Sequence, residues 1–180
     1  MSKRASESTA WPGMSVDELR EAYDEESLEG YERIERFWHL WTGRYRRKMF
    51  GDVEGRVVDI GCGPGANLRY ISEAADIVAV DLSADMLERA REDAASLGRS
   101  VEFRQMDAQN VAFEDDSFDV VVSGLSTCTF PDPVEGLNEM GQVCKPDGQI
   151  RLLEHGKSTF TLYAKFQDWR RGSAYNDLGC

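Results

Sequence analysis

The chain has 180 residues, 41% of them hydrophobic, which suits a single α/β domain with a sizeable core. Its 33 acidic against 21 basic residues give a net charge of −12, which disfavours nucleic acid and anionic membrane surfaces as partners. No apolar run approaches the roughly 20 residues needed for a bilayer span, and residues 1–13 lack the apolar centre of a signal peptide, so a cytoplasmic protein with no integral membrane segment is expected.

Residues 1–14 are small and polar and read as a disordered tail. Ser15-Val16-Asp17-Glu18 is a capping box that opens an N-terminal helical cap over residues 15–50. Within it Tyr31, Ile34, Phe37, Trp38, Trp41 and Tyr45 recur at helical spacing, an aromatic stripe expected to pack on the sheet or to form a lid over a ligand. Arg44, Arg46, Arg47 and Lys48 near the end of this segment would complement the helix dipole.

Residues 51–180 then alternate strand and helix. Strand one is expected near 56–60 and a helix over 66–74, with strand two near 77–81 and a helix over 84–97 capped by Ser83 and stopped by Gly98. Strand three follows near 101–106, strand four at 118–123 after the Asp115-Asp116-Ser117 turn, and a helix at 133–144. Pro146-Asp147-Gly148 turns into strand five at 149–155. Such alternation predicts a doubly wound, parallel sheet with ligands at the carboxyl ends of its strands. Asp81, Asp107, Ser123 and His155 all fall there.

The most informative stretch is Val57-Val58-Asp59-Ile60-Gly61-Cys62-Gly63-Pro64-Gly65, a buried apolar strand running into a glycine-rich turn. Gly61, Gly63 and Gly65 permit positive φ and leave no Cβ in the way of a ligand. Gly61-x-Gly63-x-x-Ala66 also satisfies the loose dinucleotide fingerprint. Two residues argue against a diphosphate: Asp59 would repel it and attract an ammonium group, and Pro64 removes an N–H that an anion would use. A cationic ligand is favoured, and S-adenosyl-L-methionine fits, with its ammonium and its sulfonium. The four cysteines, at 62, 128, 144 and 180, show no C-x-x-C pair or zinc spacing, so reduced thiols and no metal site are expected.

Asp59-Ile60-Gly61-Cys62-Gly63-Pro64-Gly65 resembles the first motif of the class I S-adenosylmethionine-dependent methyltransferases, and Val78-Ala79-Val80-Asp81-Leu82-Ser83 resembles their second. Gln105-Met106-Asp107-Ala108 is similar to the adenine-binding segment, Ser117 to Ser123 to the fourth strand, and Val143 to Ile150 to the turn into strand five. The resemblance covers roughly residues 55–156. It implies a Rossmann-like sheet with an N-terminal helical lid and a methyl-transfer activity. Asp81 lies about 20 residues beyond the glycine turn, where a carboxylate can accept from both hydroxyls of a ribose. Leu82 and Met86 would line adenosine, and Asp107 and Ala108 would meet the adenine.

Transfer of a methyl group from a sulfonium is an in-line displacement, so alignment matters more than a base. His155, in Leu152-Leu153-Glu154-His155-Gly156, is the candidate for orienting an acceptor or taking a proton; a turn histidine bonded to backbone is the plainer reading. His39 belongs to the helical cap surface, and Cys128, in the loop after strand four, reads as a small buried side chain. The loop from Ser123 to Pro133, with the segment from Leu153 to Ser158, resembles phospholipid N-methylating and ubiquinone- or menaquinone-methylating enzymes, which implies a small-molecule or lipid-like acceptor. The family's usual seven strands are reduced to five here, so strand five is expected to present an open edge through which a homodimer could form. A protein that binds S-adenosylmethionine without turnover and an NAD-dependent oxidoreductase are the alternative readings.

Overall fold

The computed structural model describes residues 15–18, 20, 41–154 and 156. The capping box is formed: the Ser15 N–H donates to Glu18 Oε2 at 2.7 Å and the Glu18 N–H donates back to Ser15 Oγ at 3.2 Å. A helix over residues 41–50, α1, precedes five strands. These are β1 (Gly55–Ile60), β2 (Ala75–Asp81), β3 (Val101–Gln105), β4 (Phe118–Gly124) and β5 (Cys144–Leu153). Helix α2 (Ala84–Ser96) joins β2 to β3, and α3 (Pro133–Val143) joins β4 to β5.

The sheet order is β3-β2-β1-β4-β5, and every pairing is parallel. This is the doubly wound architecture that the alternation predicts. β1 sits at its centre, and its residues Val57, Val58 and Ile60 are fully buried, as a parallel strand covered on both faces requires. Successive side chains serve opposite faces. Val58, Ile60, Val78, Val80 and Val121 pack with Met140 and Val143 of α3, whereas Val57, Ile77 and Val122 pack with Phe50 of α1 and Ala94 of α2. The sheet winds outward from β1 in both directions, so the loops after β1 and β4 diverge and leave a crevice between them.

The helix ends follow their sequence signals. Ser83 Oγ accepts from the Met86 N–H at 3.2 Å, and α2 stops at Gly98, whose φ of +67° suits a residue without Cβ. Asp132 caps α3 in front of Pro133.

Three expectations change. Residues 66–74 form consecutive turns and not a helix. Arg99, just beyond α2, ties this segment down: its guanidinium donates to the carbonyls of Leu68, Ile71 and Ser72 at 2.5–2.6 Å, and the Leu68 carbonyl is one that a helix over 66–74 would have used internally. The second concerns two members of the aromatic stripe: Trp41 and Tyr45 are 66% and 45% exposed and so are not packed on the sheet, while Tyr31, Ile34, Phe37 and Trp38 lie outside the described residues. α1 instead buries Gly43, Arg46 and Phe50. Finally, β5 begins at Cys144, and the expected turn at Pro146-Asp147-Gly148 is an irregularity inside it, between the Phe118–Cys144 and Val120–Gln149 pairs. Among the described residues β5 pairs with β4 alone, and Ile150 is 42% exposed on it.

Arg99→Met removes one charged donor group from three carbonyls at once. It is expected to lower unfolding free energy by about 3 kcal/mol, read from urea midpoints. An unchanged midpoint would show that the turn segment holds itself.

Candidate functional site

The carboxyl ends of the parallel strands bring Asp59, Asp81 and Ser123 to one edge of the sheet, with Asp107 two residues past β3. The glycine loop starts there, with φ of +69°, +52° and +91° at Gly61, Gly63 and Gly65. The three positions serve different needs. A Cβ at Gly61 would meet Ser126 at 2.8 Å and one at Gly65 would meet the α2 backbone at Ala90 at 3.2 Å, so these two are required by packing. A Cβ at Gly63 would meet nothing within 4 Å, which marks the open side of the loop.

The amides of this loop are committed internally. The N–H groups of Gly61 and Cys62 both donate to the Val80 carbonyl, at 2.9 and 3.0 Å, and that of Gly65 donates to the Cys62 carbonyl at 3.1 Å. The Gly63 N–H donates to Asp81 Oδ2 at 2.7 Å, and Pro64 has none. A diphosphate cradle needs the opposite arrangement, with amides aimed at the ligand. Asp81 also receives the Ser83 N–H on Oδ1 at 3.0 Å. These two bonds hold the carboxylate at a fixed angle at the end of β2.

Asp59 is fully buried and accepts from Asn67 Nδ2 on both oxygens, at 2.9 and 3.1 Å. Burial pushes its pKa up to about 7; the Asn67 hydrogen bonds and the Arg46 charge pull the other way, and the Asp81 charge adds to the rise. Cys62 has its thiol in a core cluster with Ala79 and Leu87, and burial next to Asp81 and Asp59 raises its pKa well above the thiol range. Contact from Cys62 to a ligand would be through backbone only.

Asp107 forms a tight turn: Oδ1 accepts the Gln109 N–H at 2.9 Å, and both oxygens lie within 3.2 Å of Gln109 Nε2. Gln109 Oε1 in turn accepts the Asp132 N–H at 2.6 Å, which ties this loop to the start of α3. Ala108 and Met86 are buried, and Leu82 is half-buried at the bend after β2. Ser123 is fully buried and bonds to Ser126 through their hydroxyls. His155 lies outside the described residues, as does His39.

The reading of the sequence missed Arg46, Asn67, Ser126 and Glu154. Arg46 is only 5% exposed and bonds to Asn67 Oδ1, so it is not an end-of-helix charge in solvent. Its signal was the spacing of 43, 46 and 50, which puts it on the buried face of α1. Glu154 Oε1 accepts the N–H groups of Ser126 and Thr127 at 3.4 and 3.3 Å, and so holds the loop after β4 from the end of β5. That loop passes through Leu125 at φ +62°, a conformation that costs of order 1 kcal/mol or more for a branched side chain. Cys128 also departs from expectation: it is disulfide-bonded, with its partner outside the described residues, while Cys62 and Cys144 are free thiols. It sits half-buried on the short 3-10 turn Thr127–Thr129 and not in the core.

A profile of the methyltransferase domain family matches residues 57–148, just over half of the chain and the whole interval from β1 into β5. The chain belongs to that family. A phosphatidylethanolamine N-methyltransferase of Cereibacter sphaeroides is 36% identical over 103 residues, covering 56% of this chain and 51% of that protein. A demethylmenaquinone methyltransferase of Staphylococcus aureus is 31% identical over 138 residues, with coverage of 71% and 57%. The chain spans about half the length of these curated relatives. The solved structure of the YcgJ protein of Bacillus subtilis superposes with a TM-score of 0.61 at 29% identity, over 74% of this chain and 58% of that one. The loops of this methyltransferase domain that carry Asp59, Gly63 and Asp81 all lie within the matched interval. A separate cleft of about 290 Å³ lies between residues 52–54 and the starts of β4 and β5, at the opposite ends of the strands. It takes no part in the site. No helix of the described residues is long and apolar enough to cross a membrane.

Asp59 also makes stability depend on pH. A carboxyl whose pKa rises from 3.8 to about 7 on folding holds its proton better in the native state. Its contribution is therefore complete below the lower value and is lost as pH rises through the upper one. Relative to Asp59→Asn, the parent protein should lose stability between about pH 4 and pH 7 and run parallel to the variant above that. Urea midpoints measured across the range check this, and parallel profiles throughout would contradict it.

Proposed function

We propose that this domain uses S-adenosyl-L-methionine to methylate a small-molecule or lipid-like acceptor. One observation carries the choice of cofactor: the loop N–H groups from Gly61 to Gly65 are engaged within the protein while carboxylates surround the loop. That environment suits a positively charged amino-acid tail and repels a diphosphate. The bound cofactor supplies an electrophilic methyl group on a sulfonium. The roles of the residues follow from their places. Asp59 supplies negative potential beneath the loop, and the open side of Gly63 admits the tail. Asp81 receives the ribose hydroxyls, Leu82 and Met86 give apolar contact to the nucleoside, and Asp107 with Ala108 takes the adenine edge. The loop from Ser123 through Thr129, held by Glu154, forms the wall toward the acceptor and fixes the line of attack. His155 is the candidate proton acceptor where the nucleophile carries a proton. The acceptor class is supported by the relatives whose names give phosphatidylethanolamine and demethylmenaquinone as substrates.

Calorimetric titration tests the reading: S-adenosylhomocysteine should bind and NAD should not, and Asp81→Ala should weaken binding by at least tenfold through loss of charge-assisted hydrogen bonds. Binding of NAD in preference would overturn it. Methyl transfer in a panel containing phosphatidylethanolamine and a demethylated quinone separates an enzyme from a non-catalytic binder.

The outer edge of β5, which among the described residues pairs with β4 alone and carries the exposed Ile150, is read as the contact for a second copy of the chain. Sedimentation should show a dimer that Ile150→Lys shifts to monomer; a monomer at high concentration in the parent protein would refute this.

A further inference from the structure

The function proposed above uses Asp59 but leaves unexplained why a buried arginine reaches it from a different part of the chain. Arg46 comes from α1, outside the glycine loop, yet its guanidinium lies in the crevice between the loops that follow β1 and β4. It bonds to Asn67 Oδ1 and, through Nε at 3.2 Å, to Thr42 Oγ1 of its own helix. Asn67 turns its other end to Asp59, donating from Nδ2 to both carboxylate oxygens. The last residue of β4 makes room for the pair, since a Cβ at Gly124 would lie 2.8 Å from Asn67 Oδ1 and 3.0 Å from Arg46 Nη1. Arginine, asparagine and aspartate are all at most 5% exposed. Charged groups this deeply buried depend on one another, so removal of either end leaves the other uncompensated.

We propose that Arg46 is a positioning residue that, through Asn67, couples the docking of α1 to the charge state and placement of Asp59, so that helix and glycine loop receive the cofactor's amino-acid tail as one unit. The inference rests on the cofactor assignment above. Among the described residues four groups face Asp59: Asn67 from the turn after β1, Arg46 from α1, Asp81 from β2, and the neutral Cys62 thiol of the loop. Arg46 is the one cation among them. It favours the ionised form against burial and against Asp81, and an arriving ammonium group would act in the same direction. By linkage, whatever strengthens the hold of Asp59 on a cation must equally strengthen the docking of α1 when that cation is bound.

The experiment has two arms. In the free protein, carbon NMR follows the Asp59 carboxyl with pH in the parent, Arg46→Met and Arg46→Lys. The Met variant should titrate about one unit or more higher, and the Lys variant close to the parent. An unmoved Asp59 midpoint in a folded Met variant overturns the proposal. In the second arm, S-adenosylhomocysteine is titrated by calorimetry and amide hydrogen exchange is read over residues 41–50. The parent should gain protection there on binding, and Arg46→Met should lose that gain together with roughly tenfold in affinity. Lysine keeps the charge without the planar fork, so Arg46→Lys should lose part of the protection gain while its Asp59 midpoint stays in place. Should the Met variant fail to fold, a Lys variant with the full protection gain overturns the proposal. If the parent binds no S-adenosylhomocysteine while Asp59 still responds to Arg46 as expected, the cofactor assignment fails and the link between helix and loop stands.

Discussion

A carboxyl group is buried at the carboxyl end of the central strand, and the surroundings of Asp59 are arranged around that fact. Burial of an isolated carboxylate is prohibitive, so the chain either protonates it or supplies partners. It does both in part: Asn67 gives two hydrogen bonds, Arg46 gives a positive charge, and the pKa still rises to about 7. To deliver Asn67 to Asp59, the segment after the glycine loop coils in turns, and Arg99 takes the carbonyls that such a path leaves over. To deliver Arg46, α1 must dock beside β1, which it does through Phe50 in the core it shares with Val57 and Leu68.

The same constraint shapes the site. A loop whose amides face inward cannot serve as an anion cradle, whatever its glycine spacing. Here the Val80 carbonyl takes two of them and Asp81 a third. The result is a loop with Asp59 and Asp81 beside it at the point where the sheet reverses its winding. Strand order makes that point the place where the loops of β1 and β4 part. The matched family interval runs across this region, and the loop after β4 is held by Glu154 and strained at Leu125.

Much of this was legible from local pattern. The apolar runs Val57-Val58, Ile77-Val78-Ala79-Val80 and Val120-Val121-Val122 of β1, β2 and β4 mark strands covered on both faces, because buried parallel strands dispense with polar alternation. Ser83 and Asp132 announce helix starts by capping chemistry that acts within three residues. Where the reading failed, a distant residue intervened. Residues 66–74 have helical spacing, but Arg99 lies 27 to 31 positions away from the carbonyls it captures. Trp41 and Tyr45 keep a helical period, yet periodicity does not say which face of α1 docks, and it is the face with Gly43, Arg46 and Phe50 that is buried.

The amino-acid sequence alone determined the parallel alternating fold, the glycine turn with its flanking acids and the resemblance that names the cofactor class, because these depend on neighbours in the chain and on residue type. Tertiary structure alone decided that Asp59 is buried, that the loop amides are spent on Val80 and Asp81, and that Arg46 is buried against Asn67 and not left at the helix end. Those outcomes depend on which segments meet across the sheet, and the hydrogen bonds and electric fields involved fall off within a few ångströms of space, whatever the separation along the chain.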